Sequence, residues 1–142
     1  MEYTARATTD GNGRNGRVRS EDGLIDLRLA IPTELGGAGG GANPEQLFAA
    51  GYSGCFMSAL GSAARERRIK LVDASVTAAV TIAHDGGGFG LSVELVADLP
   101  NVEEGDADAL LEAAHARCPY SKAVRGNIPV TVRALRSTAR TS

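Results

Sequence analysis

The stretch from Asn43 to Ala64 constrains this chain more than any other. Asn43 is a good helix N-cap, Pro44 fits the first helical position, and Gln46 stands where a capping-box partner belongs. Beyond them Leu47, Phe48, Tyr52, Cys55, Phe56, Met57 and Leu60 are interleaved with Ala, Gly and Ser. The predicted helix therefore has no polar face and must be covered all round. It falls short of the roughly 20 apolar residues that span a bilayer. Arg65-Glu66-Arg67-Arg68 marks its exit to water, and cations suit a helix C-terminus. With 142 residues in all, one helix of this kind leaves a single small domain to wrap it.

The cover reads as strands, because apolar residues elsewhere recur with a period of two. Tyr3, Ala5 and Ala7 alternate, Asp10-Gly11-Asn12-Gly13 supplies a turn, and Arg17 to Ser20 forms a second strand. Asp22-Gly23 is a hairpin signal, and Leu27, Leu29 and Ile31 alternate up to Pro32. Val76, Ala78, Val80 and Ile82, then Phe89, Leu91, Val93 and Leu95, predict a long hairpin around Asp85-Gly86-Gly87-Gly88. A second helix opens at Gly105-Asp106, carries Ala107, Leu110, Leu111, Ala114 and Cys118 on one stripe, and ends at Pro119. Ile128, Val130 and Val132 make a last strand. This order predicts an α+β fold, a buried central helix packed on antiparallel sheet. Residues 1–135 read as one domain and 136–142 as a polar tail. The glycine run Gly36 to Gly41 has no Lys-Ser or Lys-Thr after it, which excludes a phosphate loop and leaves a mobile connection or lid.

Charge excludes several functions. Fifteen Lys and Arg against 17 Asp and Glu leave a net charge of −2, with no footprint for nucleic acid and no polybasic membrane patch. The polar, mixed-charge start Met1-Glu2-Tyr3-Thr4 is no signal peptide, and a cytoplasmic location is expected. In that setting the two cysteines, Cys55 and Cys118, are buried small hydrophobes, metal ligands or a reversible redox pair. No metal is expected: His84 and His115 add to the ligand count, but neither residue type shows paired short spacing. Both cysteines fall on apolar helical stripes that face one core. Burial raises the pKa of a thiol such as Cys55, and the end of a helix dipole disfavours a thiolate at Cys118. A reactive Cys55 therefore needs a cation, and Arg stays charged even when desolvated.

Taken singly, the polar candidates are bland. Arg14 reads as a solvated loop residue with Arg17 and Arg19 close by, and Glu45 as an acid favoured in a first helical turn. Tyr120 reads equally as a core aromatic or as a hydroxyl turned into a site. The acidic residues Asp98, Glu103, Glu104, Asp106 and Asp108 read as a solvated face.

Longer blocks say more. Asn43-Pro44-Glu45-Gln46-Leu47-Phe48-Ala49-Ala50-Gly51-Tyr52-Ser53-Gly54-Cys55-Phe56 resembles the signature of the organic hydroperoxide resistance (Ohr) branch of the OsmC/Ohr family. Cys118-Pro119-Tyr120-Ser121-Lys122-Ala123-Val124-Arg125-Gly126-Asn127-Ile128 is similar to its second block, and Gly13-Arg14-Asn15-Gly16 to its N-terminal hairpin. The resemblance implies an OsmC/Ohr-like fold in an intertwined homodimer with two interfacial active sites. It implies a thiol peroxidase for organic hydroperoxides that binds no cofactor and is recycled by dihydrolipoamide on lipoylated enzyme subunits. Cys55 matches the peroxidatic cysteine and Cys118 the resolving one, joined by a disulfide in each cycle. Arg14 matches the cation beside the thiol, and Glu45 the carboxylate that holds it. Leu47, Phe48, Phe56, Met57 and Tyr120 are the expected substrate-binding residues, since hydrogen peroxide has no apolar surface to bury against them. A non-catalytic redox sensor or a small-ligand-binding module of the same fold is the alternative.

One spacing needs explaining. Glu45 and Cys55 are ten positions apart, about 15 Å along a continuous helix. Either the helix breaks, for which Gly51 and Gly54 offer the opportunity, or the Arg–Glu pair serves the Cys of another subunit. The second is expected.

Overall fold

A computed structural model describes residues 1–136, and the remainder of the expected tail, 137–142, lies outside the described residues. The chain divides into two compact units, Met1–Leu47 and a second that begins at Phe48.

The first unit is an antiparallel meander of β1 (Ala7–Asp10), β2 (Arg17–Ser20) and β3 (Asp26–Arg28) in that order. Its first strand starts at Ala7, later than the alternation from Tyr3 predicts, and Tyr3 is exposed. The β2–β3 turn follows from Asp22, whose carboxylate accepts hydrogen bonds from the Ser20 hydroxyl (2.7 Å) and the Leu24 amide (3.0 Å). Between β1 and β2 a short 3-10 turn, Gly13–Asn15, carries Arg14. Little of the meander is covered: Val18, Leu29 and Ala30 are its buried apolar side chains.

The glycine run is no featureless lid. It folds back so that Gly36 and Gly37 donate to Thr33 and Pro32, Gly39 donates to Ile31, and Ala42 donates to Arg28. Gly37 is required there, since a Cβ would run into the carbonyl oxygen of Ile31. The run thus seats Asn43 for the helix α1 (Pro44–Glu66). The capping box forms as the sequence predicts: Gln46 N–H donates to Asn43 Oδ1 (2.8 Å), and Asn43 N–H to Gln46 Oε1 (3.1 Å).

The second unit holds β4 (Ser75–His84), β5 (Phe89–Asp98), α2 (Glu104–Arg117), α3 (Pro119–Val124) and β6 (Val130–Ala134). β4 and β5 form the expected hairpin, from Ser75↔Asp98 to His84↔Phe89. β6 lies parallel to β5, so the sheet β4-β5-β6 is mixed, where the sequence predicts antiparallel pairing throughout. The cause is the connection: α2 and α3 carry the chain back along the sheet, and a crossover of that kind delivers a parallel strand.

Tyr52, Phe56, Leu60 and Ala63 of α1 meet Val93, Leu95 and Ala97 of β5, Leu110 and Ala114 of α2, and Cys118 in one buried cluster. The opposite stripe of α1, with Ala50, Gly54 and Ser58, is exposed. The helix is therefore covered on one face within the chain, not all round. By length and composition α1 could cross a membrane, which corrects the expectation that it falls short. Its packing marks it as the core helix: Tyr52, Phe56 and Leu60 are all fully buried by their own chain. Leu60→Ala should cost about 2–5 kcal/mol of stability. Urea unfolding followed by circular dichroism measures it.

Candidate functional site

Cys55 sits in the middle of α1 and Cys118 where α2 meets α3. The two sulfurs are 3.4 Å apart, and both cysteines are free. A disulfide needs the sulfurs to close to about 2.05 Å, so the pair stands one small movement from bonding. Cys118 is fully buried and Cys55 partly so.

Cys118 owes its place to two helix ends. Its N–H donates to Ala114 O (2.8 Å) and closes α2, while its carbonyl accepts from Lys122 N–H (3.0 Å) and opens α3. Pro119 ends α2 as predicted, but it is also the first residue of α3, a helix the stripe pattern does not reveal. The signal was present: proline is favoured at a first helical position.

The thiol of Cys55 is not activated by its own surroundings in the second unit. Burial pushes its pKa up, and the shared hydrogen bond with Cys118 pushes the same way. The Tyr120 amide opposes them by hydrogen-bonding the sulfur.

The cation expected for it lies in the first unit. Arg14 Nη1 and Nη2 donate to Glu45 Oε2 and Oε1 at 3.0 and 2.9 Å, a two-pronged pair. Glu45 is held below the usual carboxylate range by that bond, and the Arg14 guanidinium is held charged by the same contact. Arg17 pairs instead with Asp26, and Arg19 with Asp10. Arg14 is thus the arginine of the three that meets Glu45. The helix runs unbroken from Pro44 to Glu66, so neither Gly51 nor Gly54 breaks it. Ten helical residues, about 15 Å of rise, separate Glu45 from Cys55 of the same chain.

The aromatic residues divide. Tyr120 packs its ring against α1 at Gly51, with centroids 5.6 Å from Tyr52 and 6.3 Å from Phe48. Only glycine permits this, because a Cβ there would lie 2.5 Å from the Tyr120 hydroxyl and 3.1 Å from its Cζ. Leu47, Phe48 and Met57 are half-buried, and Tyr120 is 39 % exposed. Phe56 is fully buried in the core cluster and is a packing residue, where the sequence reading assigns it to a substrate wall. His84 is exposed beside Phe89. Among the described residues no group of three His, Cys, Asp or Glu could hold a metal.

Sequence reasoning passes over Tyr52 and Ser121. The Tyr52 hydroxyl is 2.7 Å from Ser121 Oγ, and both residues are fully buried. Nδ1 of His115 lies 2.8 Å from the same oxygen. The signal for them was spacing: Tyr52 precedes Cys55 by one helical turn, and Ser121 follows Cys118 by one turn.

An α+β chain with two such cysteine-bearing elements defines a recognisable class. The model of the OsmC-like protein family matches residues 37–133. The chain belongs to the OsmC/Ohr family. It is 48 % identical, over 92 % of both chains, to the organic hydroperoxide resistance protein of Xanthomonas axonopodis pv. citri (strain 306). A crystal structure of an organic hydroperoxide resistance protein from Legionella pneumophila matches with a TM-score of 0.90 at 46 % identity, covering 96 % of this chain and 99 % of that one. One from Vibrio cholerae, with captopril bound in one of its active sites, matches with a TM-score of 0.87 at 49 % identity, covering 94 % and 92 %.

Two outcomes follow from this geometry. Because the Glu45 pKa is lowered on folding, its pairing stabilises the protein above the ordinary carboxylate pKa and is lost as pH falls through the lowered value. A carboxyl NMR titration should place Glu45 below an unpaired Glu, and Arg14→Gln should return it upward. Gly51→Ala should displace the Tyr120 ring and cost about 1–3 kcal/mol, read from urea unfolding.

Proposed function

We propose that this protein is a thiol peroxidase that reduces organic hydroperoxides to alcohols, as a homodimer. The observation that carries the reading is the 3.4 Å approach of Cys55 to Cys118 from distant parts of the sequence. A buried inert pair would need no such alignment. The names of its relatives, organic hydroperoxide resistance proteins, support the same reading and a part in the response to oxidative stress.

The chemistry runs in balanced steps. The Cys55 thiolate attacks the terminal peroxide oxygen, the O–O bond breaks, and the alkoxide leaves and takes a proton to become the alcohol. Cys55 is left as a sulfenic acid. The Cys118 thiol displaces its oxygen as water and forms the disulfide, which keeps Cys55 off the irreversible part of the oxidation ladder. A dithiol then reduces the disulfide by exchange. Dihydrolipoamide on lipoylated enzyme subunits is the proposed donor.

Arg14 supplies the charge. Its guanidinium stabilises the thiolate and the negative charge that moves onto the leaving oxygen, and Glu45 orients its fork. With an unbroken α1, this pair works on Cys55 of a second copy. Two features of the single chain favour such a copy. The meander has few buried side chains, too few for a three-stranded sheet to stand alone. The exposed stripe of α1 carries small residues, where another surface can come close. Half-buried Phe48 and Met57, with Tyr120, offer apolar surface to an alkyl or lipid chain at about 25 cal/mol per Å². That favours such substrates over hydrogen peroxide.

The test is tert-butyl hydroperoxide added to reduced protein. Sustained consumption on dihydrolipoamide, abolished by Cys55→Ser, is expected. Cys118→Ser should turn over once and then over-oxidise. A single oxidation without turnover would make the protein a redox sensor, and no thiol loss would leave the pair structural. Arg14→Ala should shift the pH midpoint of Cys55 alkylation upward, since burial is then opposed only by the Tyr120 amide. An unchanged midpoint would remove Arg14 from the site.

A further inference from the structure

The buried polar groups Tyr52 and Ser121 take no part in the chemistry above, yet they sit one turn from each cysteine. Tyr52 precedes Cys55 on α1, and Ser121 follows Cys118 on α3, so each shares a helix face with its cysteine or stands directly beside it. Their hydroxyls meet at 2.7 Å with neither residue exposed. The bond therefore links the two elements whose spacing sets the sulfur–sulfur distance.

His115, on α2, joins that bond. Its Nδ1 is 2.8 Å from Ser121 Oγ. Burial and the neighbouring Arg125, whose Nη1 donates to the His115 carbonyl at 3.0 Å, favour the neutral ring. Ser121 Oγ therefore meets both the Tyr52 hydroxyl and His115 Nδ1. The chain Tyr52 to Ser121 to His115 then ties α1, α3 and α2 together around the dithiol. Among the described residues no buried side-chain N or O lacks a hydrogen-bond partner, so this network is complete.

We propose that Ser121, with Tyr52 and His115, is a positioning residue for the redox pair: it holds Cys118 in line with Cys55, so that the disulfide forms readily once Cys55 is oxidised. This goes beyond the peroxidase reading and rests on it only for its use in turnover. The alignment itself is a property of the two thiols and needs no peroxide to be read.

The distinction from ordinary packing is thermodynamic. A hydrogen bond equally good in the dithiol and disulfide forms lowers folding stability when removed and leaves the thiol–disulfide equilibrium where it was. A positioning bond moves that equilibrium, because its loss frees the reduced sulfurs to drift apart.

The measurement is the equilibrium constant of the Cys55–Cys118 disulfide against dithiothreitol, by acid quench, alkylation and intact mass. It is made on the full-length wild type, Ser121→Ala and Tyr52→Phe, with thermal unfolding alongside. Each variant should form the disulfide about tenfold less favourably. The double variant should be no worse than the worse single one, because both delete the same bond. Tyr52→Phe keeps the ring and carries the test if Ser121→Ala fails to fold. Equilibrium constants at the wild-type value in variants with lowered melting points would overturn the proposal and leave the bond structural. A wild type that forms the disulfide but consumes no hydroperoxide would overturn the peroxidase reading and leave the positioning role standing. A wild type whose cysteines never pair would overturn both.

Discussion

The site depends on one packed face of α1. Tyr52, Phe56 and Leu60 are buried against β5 and α2 in the same cluster that contains Cys118. That contact brings the helices that carry the two sulfurs together, and the sulfurs stand 3.4 Å apart. Loosening it would change the dithiol before any catalytic residue was touched. It also explains the unusual composition of the helix. Large residues fill the core side, while small ones on other faces let neighbours come close, as Tyr120 does over Gly51.

Core placement carries an electrostatic cost. Cys55 gains a partner but loses water, and burial makes its thiolate harder to form. A fold that hides its thiol this way has to bring in charge from elsewhere. Arg14 is the proposed source because a guanidinium keeps its charge, and Glu45 holds it in a two-pronged pair. Glu45 and Cys55 stand ten helical residues apart on unbroken α1, and the proposed solution is reciprocal: each copy lends its cation to the other. A symmetric dimer does this with one surface used twice.

Much of this was legible in the sequence, for identifiable reasons. The start of α1 was readable because Asn43, Pro44 and Gln46 act through local backbone chemistry. The β4–β5 hairpin was readable because its alternation persists over most of each ten-residue strand. The two cysteine blocks carried the family. What was not legible depends on the third dimension. Parallel pairing of β6 follows from where the α2–α3 connection lands, which no period in the strand encodes. Phe56 and Met57 are neighbours in sequence, yet one lies in the core and the other at its margin, a difference of helix phase fixed by packing. Ser121 looks like an ordinary polar residue until its burial beside Tyr52 and His115 is seen. The glycine run looked like a lid because its composition does not reveal the backbone hydrogen bonds that fold it.

The central claim is that a buried cysteine pair is driven by an arginine from another copy of the chain, and mixed dimers test it most directly. Arg14→Ala and Cys55→Ser chains, each inactive alone, would be co-refolded and assayed for hydroperoxide consumption with dihydrolipoamide. Arginine supplied across the dimer restores one complete site in each mixed dimer, so activity should return to about a quarter of wild type. No recovery in verified mixed dimers would contradict the claim and place the arginine and the thiol it serves in the same chain.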